Sequence, residues 1–226
     1  AASLNNLAGL YGSMGDFVRA ELLYTQAIQI KKQVLGEQHP SYATSLNNLA
    51  FLYASMGDQA RAVQAVRLYE QALAITRKSL NDTAYVLSER QQLAMNQSLR
   101  YQFDNYLDAC LAMPSVPPQA VENVMLWKGS VLYRLRGLRI AADDPSISEQ
   151  FGKLQRAAAH LSKLVQVVPE PQQAVSWKQR VAELTVEKEV LEAELMRSSA
   201  AFREAVQQVT MGQIQQSIPE DGVLVD

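Results

Sequence analysis

Apolar residues recur at helical spacing along almost the whole chain. Leu4, Leu7, Ala8 and Tyr11 stand at i, i+3, i+4 and i+7, one face of a helix. Gly15-Asp16 interrupts it, glycine for the turn and aspartate to cap the next helix. That second helix carries Ala20, Leu23, Tyr24, Ala27, Ile28 and Ile30 and runs to Gly36, and His39-Pro40 precedes the next start. Between 83 and 113 there are few breakers before Pro114, and Leu99, Phe103, Tyr106, Cys110 and Met113 alternate by four and three, the mark of a buried seam. After the stop at SVPP, a helix over about 119–142 has its seam at Val124, Trp127, Val131, Leu135, Leu138 and Ala142, and ends at Asp143-Asp144-Pro145.

The most regular pattern lies beyond residue 146. Ile147, Phe151, Leu154, Ala158, Leu161, Val165 and Val168 alternate strictly, Pro169-Glu170-Pro171 turns the chain, and a second seam reads Trp177, Val181, Leu184, Lys188, Leu191, Leu195, Ser198, Phe202, Ala205 and Val209. Two heptad patterns joined by a short proline turn predict an antiparallel coiled-coil hairpin whose longer second arm packs on something else or projects. Lys188 and Ser198 interrupt that seam and are candidates for setting its register. At the C-terminus, Pro219, Asp221 and Gly222 make a turn and Val223-Leu224-Val225 reads as the start of a strand. The expected class is all-α, divided as 1–79, 80–145 (a helical adaptor), 146–212 (the hairpin) and 213–226 (a linker into a strand of a following domain).

The first two helices are one copy of a repeat. Ser3–Ala20 (SLNNLAGLYGSMGDFVRA) and Ser45–Ala62 (SLNNLAFLYASMGDQARA) agree at 14 of 18 positions, offset by 42. Self-similarity at such a period marks stacked helix pairs. Small residues (Ala8, Ala20, Ala27) allow close approach and Tyr11 and Tyr24 fill the space between helices. The second copy departs from the first: the counterpart of Tyr24 is Tyr69 rather than residue 66, so three residues are inserted at Gln64–Arg67. Three residues are nearly one turn, so the apolar face rotates by about 60° and then recovers, with a kink or local bulge expected near Val63–Arg67 and the regular array ending there.

The phrases SLNNLAGLY, MGD, RAELLYTQAI and VLGEQHPSYATSLNNLA resemble the tetratricopeptide repeat in the 42-residue form of kinesin light chains, over residues 1–79. The segments VLSERQQLAMNQSLRYQFDNYL, VMLWKGSVLYRLRGLR, WKQRVAELTVEKEVLEAELMRSSAAFR and IPEDGVLVD resemble the region that precedes the caspase-like CHAT domain in bacterial TPR-CHAT proteins. That second resemblance implies a Cys/His protease domain in cis beyond Asp226, and no catalytic residue within this chain.

Composition narrows the functions further. Hydrophobic residues make up 48% and charged residues 19%, with net charge −2, so nothing in the overall balance favours nucleic acid or an anionic membrane. The single cysteine, Cys110, excludes an internal disulfide and fits a reducing, cytoplasmic setting. No apolar run approaches a membrane span. The chain opens at Ala1 with no signal-like segment, and both ends read as cuts inside a longer protein. Cys110 lies in a seam between Tyr106 and Met113, where it packs as a small hydrophobe. His39 reads as turn punctuation, His160 has no ligand partner at helical spacing, and no metal or cofactor is expected. Gly9, Gly12 and Gly15 mimic a phosphate loop but follow no strand. Lys128, Arg134, Arg136 and Arg139, beside Trp127 and Tyr133, could form a nucleic-acid surface, but with the acidic Glu183–Glu194 stretch in balance a solvated face, or pairing with a neighbouring acidic helix, is the favoured reading.

The candidate site is a peptide-binding groove. First helices of stacked repeats line a concave surface, and an asparagine amide can pair with both groups of a bound backbone. In families with this repeat, matching asparagines line the groove. Asn6 and Asn48 are the first choice and Asn5 and Asn47 the second, flanked by Gly9, Ser13, Phe51 and Ser55 and, more widely, by Ala2, Gly12, Thr44 and Ala54. The alternative for the asparagines is hydrogen bonding inside the stack. The expected function is a protein–protein interaction and regulatory module of a caspase-like protease, with a peptide or protein as partner. A stand-alone scaffold or cargo adaptor is the second reading.

Overall fold

The computed structural model describes the backbone of residues 1–86 and 89–206, and the side chains of these apart from 89, 96, 98, 128–134, 205 and 206. All regular structure in the described residues is helical, as the periodicity predicts: α1 (Ala2–Ser13), α2 (Phe17–Leu35), α3 (Pro40–Ser55), α4 (Gln59–Ala84), α5 (Glu89–Leu111), α6 (Pro118–Asp143), α7 (Ser148–Gln166), α8 (Ala174–Ser198) and α9 (Ala200–Val206), with a 3₁₀ turn at Pro171–Gln173 before α8. The expected strand at Val223–Val225 and the seam position Val209 lie outside the described residues.

The repeat is visible in its turns. Gly15 and Gly57 both take left-handed backbone, φ +78° and +70°, conformations that a Cβ disfavours. The aspartate after each glycine caps the next helix: Asp16 accepts from the Arg19 amide and Asp58 from the Ala60 amide. Arg19 lies over the Tyr11 ring at 4.4 Å and its repeat counterpart Arg61 over Tyr53 at 4.7 Å.

The inserted residues at Gln64–Arg67 leave α4 as one unbroken α-helix. Ala65 and Val66 carry the apolar stripe to Tyr69, Ala72 and Leu73, all buried. The insertion is taken up as roughly one extra turn, after which the stripe is back in phase. The stack also continues past it. One core joins Ala8 of α1, Tyr24 of α2, Leu49 and Tyr53 of α3, Tyr69 of α4, Phe103, Tyr106 and Cys110 of α5, and Ala120 of α6. The pair α5–α6 thus covers the far side of the second repeat, and residue 79 falls inside α4.

Tyr106 ties this core together. Its hydroxyl donates to Glu70 of α4 at 3.2 Å and accepts from Asn123 of α6 at 3.0 Å, while the ring is fully buried. Tyr106→Phe keeps the ring and leaves both partners short of a bond. It should lower unfolding free energy by about 1–2 kcal/mol in urea titrations, with an unchanged m-value.

Beyond α6 a second core forms from Ala141, Ile147, Phe151, Leu154, Leu195 and Phe202. Helix α8 returns antiparallel along α7: Trp177 donates to the Leu164 carbonyl near the turn, and Leu195 joins Phe151 and Leu154 at the other end. Three expected seam positions differ. Val168 is exposed because α7 stops at Gln166. In α6 it is Ala141, not Ala142, that is buried. The long second arm breaks at Ser199, whose extended backbone ends α8 and whose Oγ accepts from the Phe202 amide at the start of α9. The exposed Ser198 is therefore outside the seam, and α9 turns onto α6 instead of extending α8.

Candidate functional site

Helices α1 and α3 are repeat counterparts lying side by side, and each leaves the same face open. On α1, Ala2, Asn6, Gly9 and Ser13 follow four-three-four spacing and lie exposed or half-buried; on α3, Thr44, Asn48, Phe51 and Ser55 do the same. Asn6 is exposed and Asn48 half-buried. Phe51, the counterpart of Gly9, is a large apolar side chain with 55% of its surface in solvent. Ser13 and Ser55 turn their hydroxyls onto the Leu10 and Phe51 carbonyls of their own helices. Gly12 permits the close approach of α1 to α3: a Cβ there would stand 3.1 Å from the Leu52 methyl. Ala54 is exposed beside Ser55.

The neighbouring asparagines are spent inside the stack. The Asn5 amide donates to Ser45 Oγ of α3 at 3.0 Å, and both residues are buried. Lys31 of α2 donates to the same Ser45 hydroxyl at 2.7 Å and to the Ser41 carbonyl at 2.9 Å, and burial holds its ammonium below the usual lysine pKa. Asn47 donates to Tyr101 of α5 at 3.4 Å, and its own Oδ1, fully enclosed, meets no partner among the described residues. The signal for this difference was present in the spacing. Asn5 stands three before Ala8 and Asn47 three before Ala50, which carries both toward the packed side. Ser45, Lys31 and Tyr101 carried no such signal, because their partners lie on other helices.

The residues singled out for chemistry fall where packing explains them. Cys110 is completely buried, and burial raises its thiol pKa, opposite to what a nucleophile needs. Gly9 and Gly12 lie within α1 and Gly15 in the turn after it, so they cradle nothing. His160 is exposed on α7. Among the described residues no group of three or more His, Cys, Asp or Glu could hold a metal ion, and no helix is long and apolar enough to cross a membrane. In the basic stretch, Arg136 reaches Glu204 of α9 at 3.8 Å. The side chains of Lys128, Tyr133 and Arg134 are outside the described residues.

His39 does more than punctuate a turn. Its Nδ1 accepts from the Ser41 amide at 3.0 Å and so caps α3, while Nε2, carrying the proton, donates to the Val165 carbonyl at the end of α7 at 3.0 Å. Its ring stands 5.7 Å from Trp177 of α8. A second link lies one face away. Lys188 of α8, 3% exposed, pairs with Asp82 of α4 at 3.0 Å and with Glu192 at 2.9 Å. The repeats and the α7–α8 pair are thus joined by a histidine at one point and a buried ammonium at another.

Residues 1–78 match the family model described as tetratricopeptide repeat. No curated protein matches the chain.

Proposed function

We propose that this chain is a protein-interaction module whose binding surface is the open face shared by α1 and α3. One observation carries the reading. Two repeat-equivalent faces, each with an asparagine not committed to the stack, lie side by side around an exposed Phe51. Amides supply directional bonds to a peptide backbone and the aromatic supplies an apolar anchor, the usual division of labour at such interfaces. The tetratricopeptide match over 1–78 supports the same role.

The finer reading makes this a regulatory module for a caspase-like domain in cis, in the cytoplasm. The phrases shared with regions preceding CHAT domains support the first part and the lone thiol the second. The coiled-coil character of 146–212 belongs to this reading too, supported by the alternation of buried positions from Ile147 to Leu161. Deleting 1–79 from a polypeptide carrying such a domain should change its protease activity or remove its partner dependence.

The binding claim is tested with peptides selected from a random display library against the whole chain. Affinity should fall about fivefold in each of Asn6→Ala and Asn48→Ala and about thirtyfold in Phe51→Ala. Peptides indifferent to all three, but weakened by changes at Thr25 or Gln29 on the outer face of α2, would place binding elsewhere.

A further inference from the structure

The open face does not stop at α3. Asn5 of α1 donates to Ser45 of α3, and its repeat counterpart Asn47 donates to Tyr101 of α5. Helix α5 therefore stands to α3 as α3 stands to α1, in a register that sets Tyr101 level with Ser45. Burial agrees with that register. It groups Ala8, Ala50 and Tyr106, none with exposed surface, and Ser13, Ser55 and Leu111, all exposed. It also continues the row of asparagines: Asn6 on α1, Asn48 on α3 and, on α5, the exposed Asp104.

Charge changes along this row. Helices α1 and α3 contain no Asp, Glu, Lys or Arg. Helix α5 carries Arg100, Asp104 and Asp108 at successive steps of four, an exposed stripe on one side. Arg100 meets Asp104 at 3.6 Å. Asp108 has no ion pair and no hydrogen bond to its carboxylate among the described residues. Two like charges one turn apart repel, and a cation between them relieves both. A carboxylate brought to this end of the face would be repelled.

Buried polar groups beside the stripe are also unspent. Asn47 aims its carboxamide at Tyr101, and its Oδ1 meets no partner among the described residues. The hydroxyl of Tyr69 on α4, a residue 1% exposed, likewise has none. Burial first, then the nearness of Tyr101 and Asp108, pushes the Tyr69 pKa up, so this hydroxyl lies at the foot of the stripe. Each of these groups can accept a hydrogen bond, and the half-exposed Tyr101 ring adds a face that attracts a cation.

We infer, building on the α1–α3 reading, that the bound peptide runs on across α5 and seats a lysine or arginine side chain between Asp104 and Asp108, beside Tyr101. The test selects a random dodecapeptide display library on the whole chain and takes the tightest peptide. It should carry Lys or Arg, and replacing that residue by Gln should weaken binding about fivefold, the upper end for one exposed ion pair. Asp108→Asn should weaken the basic peptide by about the same factor and leave the Gln-substituted peptide unchanged. Tyr101→Leu should cost about threefold. Arg100→Gln, which releases Asp104, should strengthen binding about twofold. All three positions are exposed, so folding is safe. Selected peptides with no basic residue would overturn this inference alone. So would basic peptides indifferent to Asp108→Asn yet weakened by Asn6→Ala, Asn48→Ala and Phe51→Ala. Indifference to those last three would overturn the α1–α3 surface and this inference with it.

Discussion

Lys188→Ala should lower unfolding free energy by about 2–4 kcal/mol. Burial alone would push a lysine toward its neutral form, yet Glu192 and Asp82 outweigh it and hold the ammonium above its ordinary pKa. Removing it leaves two carboxylates, each still 20% exposed, facing each other across the α4–α8 contact, and removes the packed methylene stem. Their partial contact with water sets the cost at the lower part of the range for a broken buried pair. Lys188→Met keeps the stem and should cost about half as much; adding Asp82→Asn and Glu192→Gln should recover most of the loss. The raised pKa fixes the pH dependence. The stabilisation is complete below the unfolded-state value of about 10.4 and is lost as pH rises through the higher folded value. Urea titrations of these variants between pH 7 and 11 check both statements.

The second large effect belongs to His39. His39→Ala removes the cap of α3, the bond to Val165 and the contact with Trp177 together. A cap contributes about 1 kcal/mol, a partly buried hydrogen bond about 1 kcal/mol, and the lost ring volume adds to these, so about 2–4 kcal/mol is expected. His39→Asn should recover roughly half, because its side chain can cap but cannot reach Val165. Burial, with Lys31 nearby, holds the His39 pKa below its ordinary 6.5, against the opposing pull of the Val165 carbonyl. The unfolded chain therefore binds the proton first. Stability from His39 is complete above about pH 6.5 and is lost as pH falls through the depressed folded value. That acid-side slope should disappear in His39→Asn. Protonation also takes away the acceptor at Nδ1, so the contact loosened is the Ser41 cap at the start of α3, while Nε2–H still donates to Val165.

Much of this architecture was readable from the chain because it depends on local chemistry. Gly15-Asp16 and Gly57-Asp58 announce turn and cap within two residues, and the alternation from Leu99 to Met113 marks a face that is buried or half-buried throughout. The features that escaped depend on neighbours far along the chain. No glycine or proline separates α4 from α5. The break there is secured by Gln92, which donates to the Ala84 carbonyl, and by Gln155 of α7, which reaches the Tyr85 carbonyl. The break at Ser199 likewise lacks a breaker and is held by a side-chain cap that serine supplies only in that conformation. The insertion in α4 looked disruptive at the level of phase, yet a helix can lengthen by a turn when its apolar stripe is continued, as Ala65 and Val66 do. The site was legible in part for the same reason. The spacing of Asn6 and Asn48 puts them on the open face, whereas the commitment of Asn5 and Asn47 depends on Ser45 and Tyr101.

The central claim is that a partner is read by the open face of α1 and α3. The direct measurement is a nuclear magnetic resonance map of a selected peptide on the whole chain, following the side-chain amides of all four asparagines. Binding should shift Asn6 and Asn48 strongly, with Phe51, and move Asn5 and Asn47 little because they are held within the stack. Strong shifts confined to the outer faces of α2 and α4, with Asn6, Asn48 and Phe51 unmoved, would contradict it.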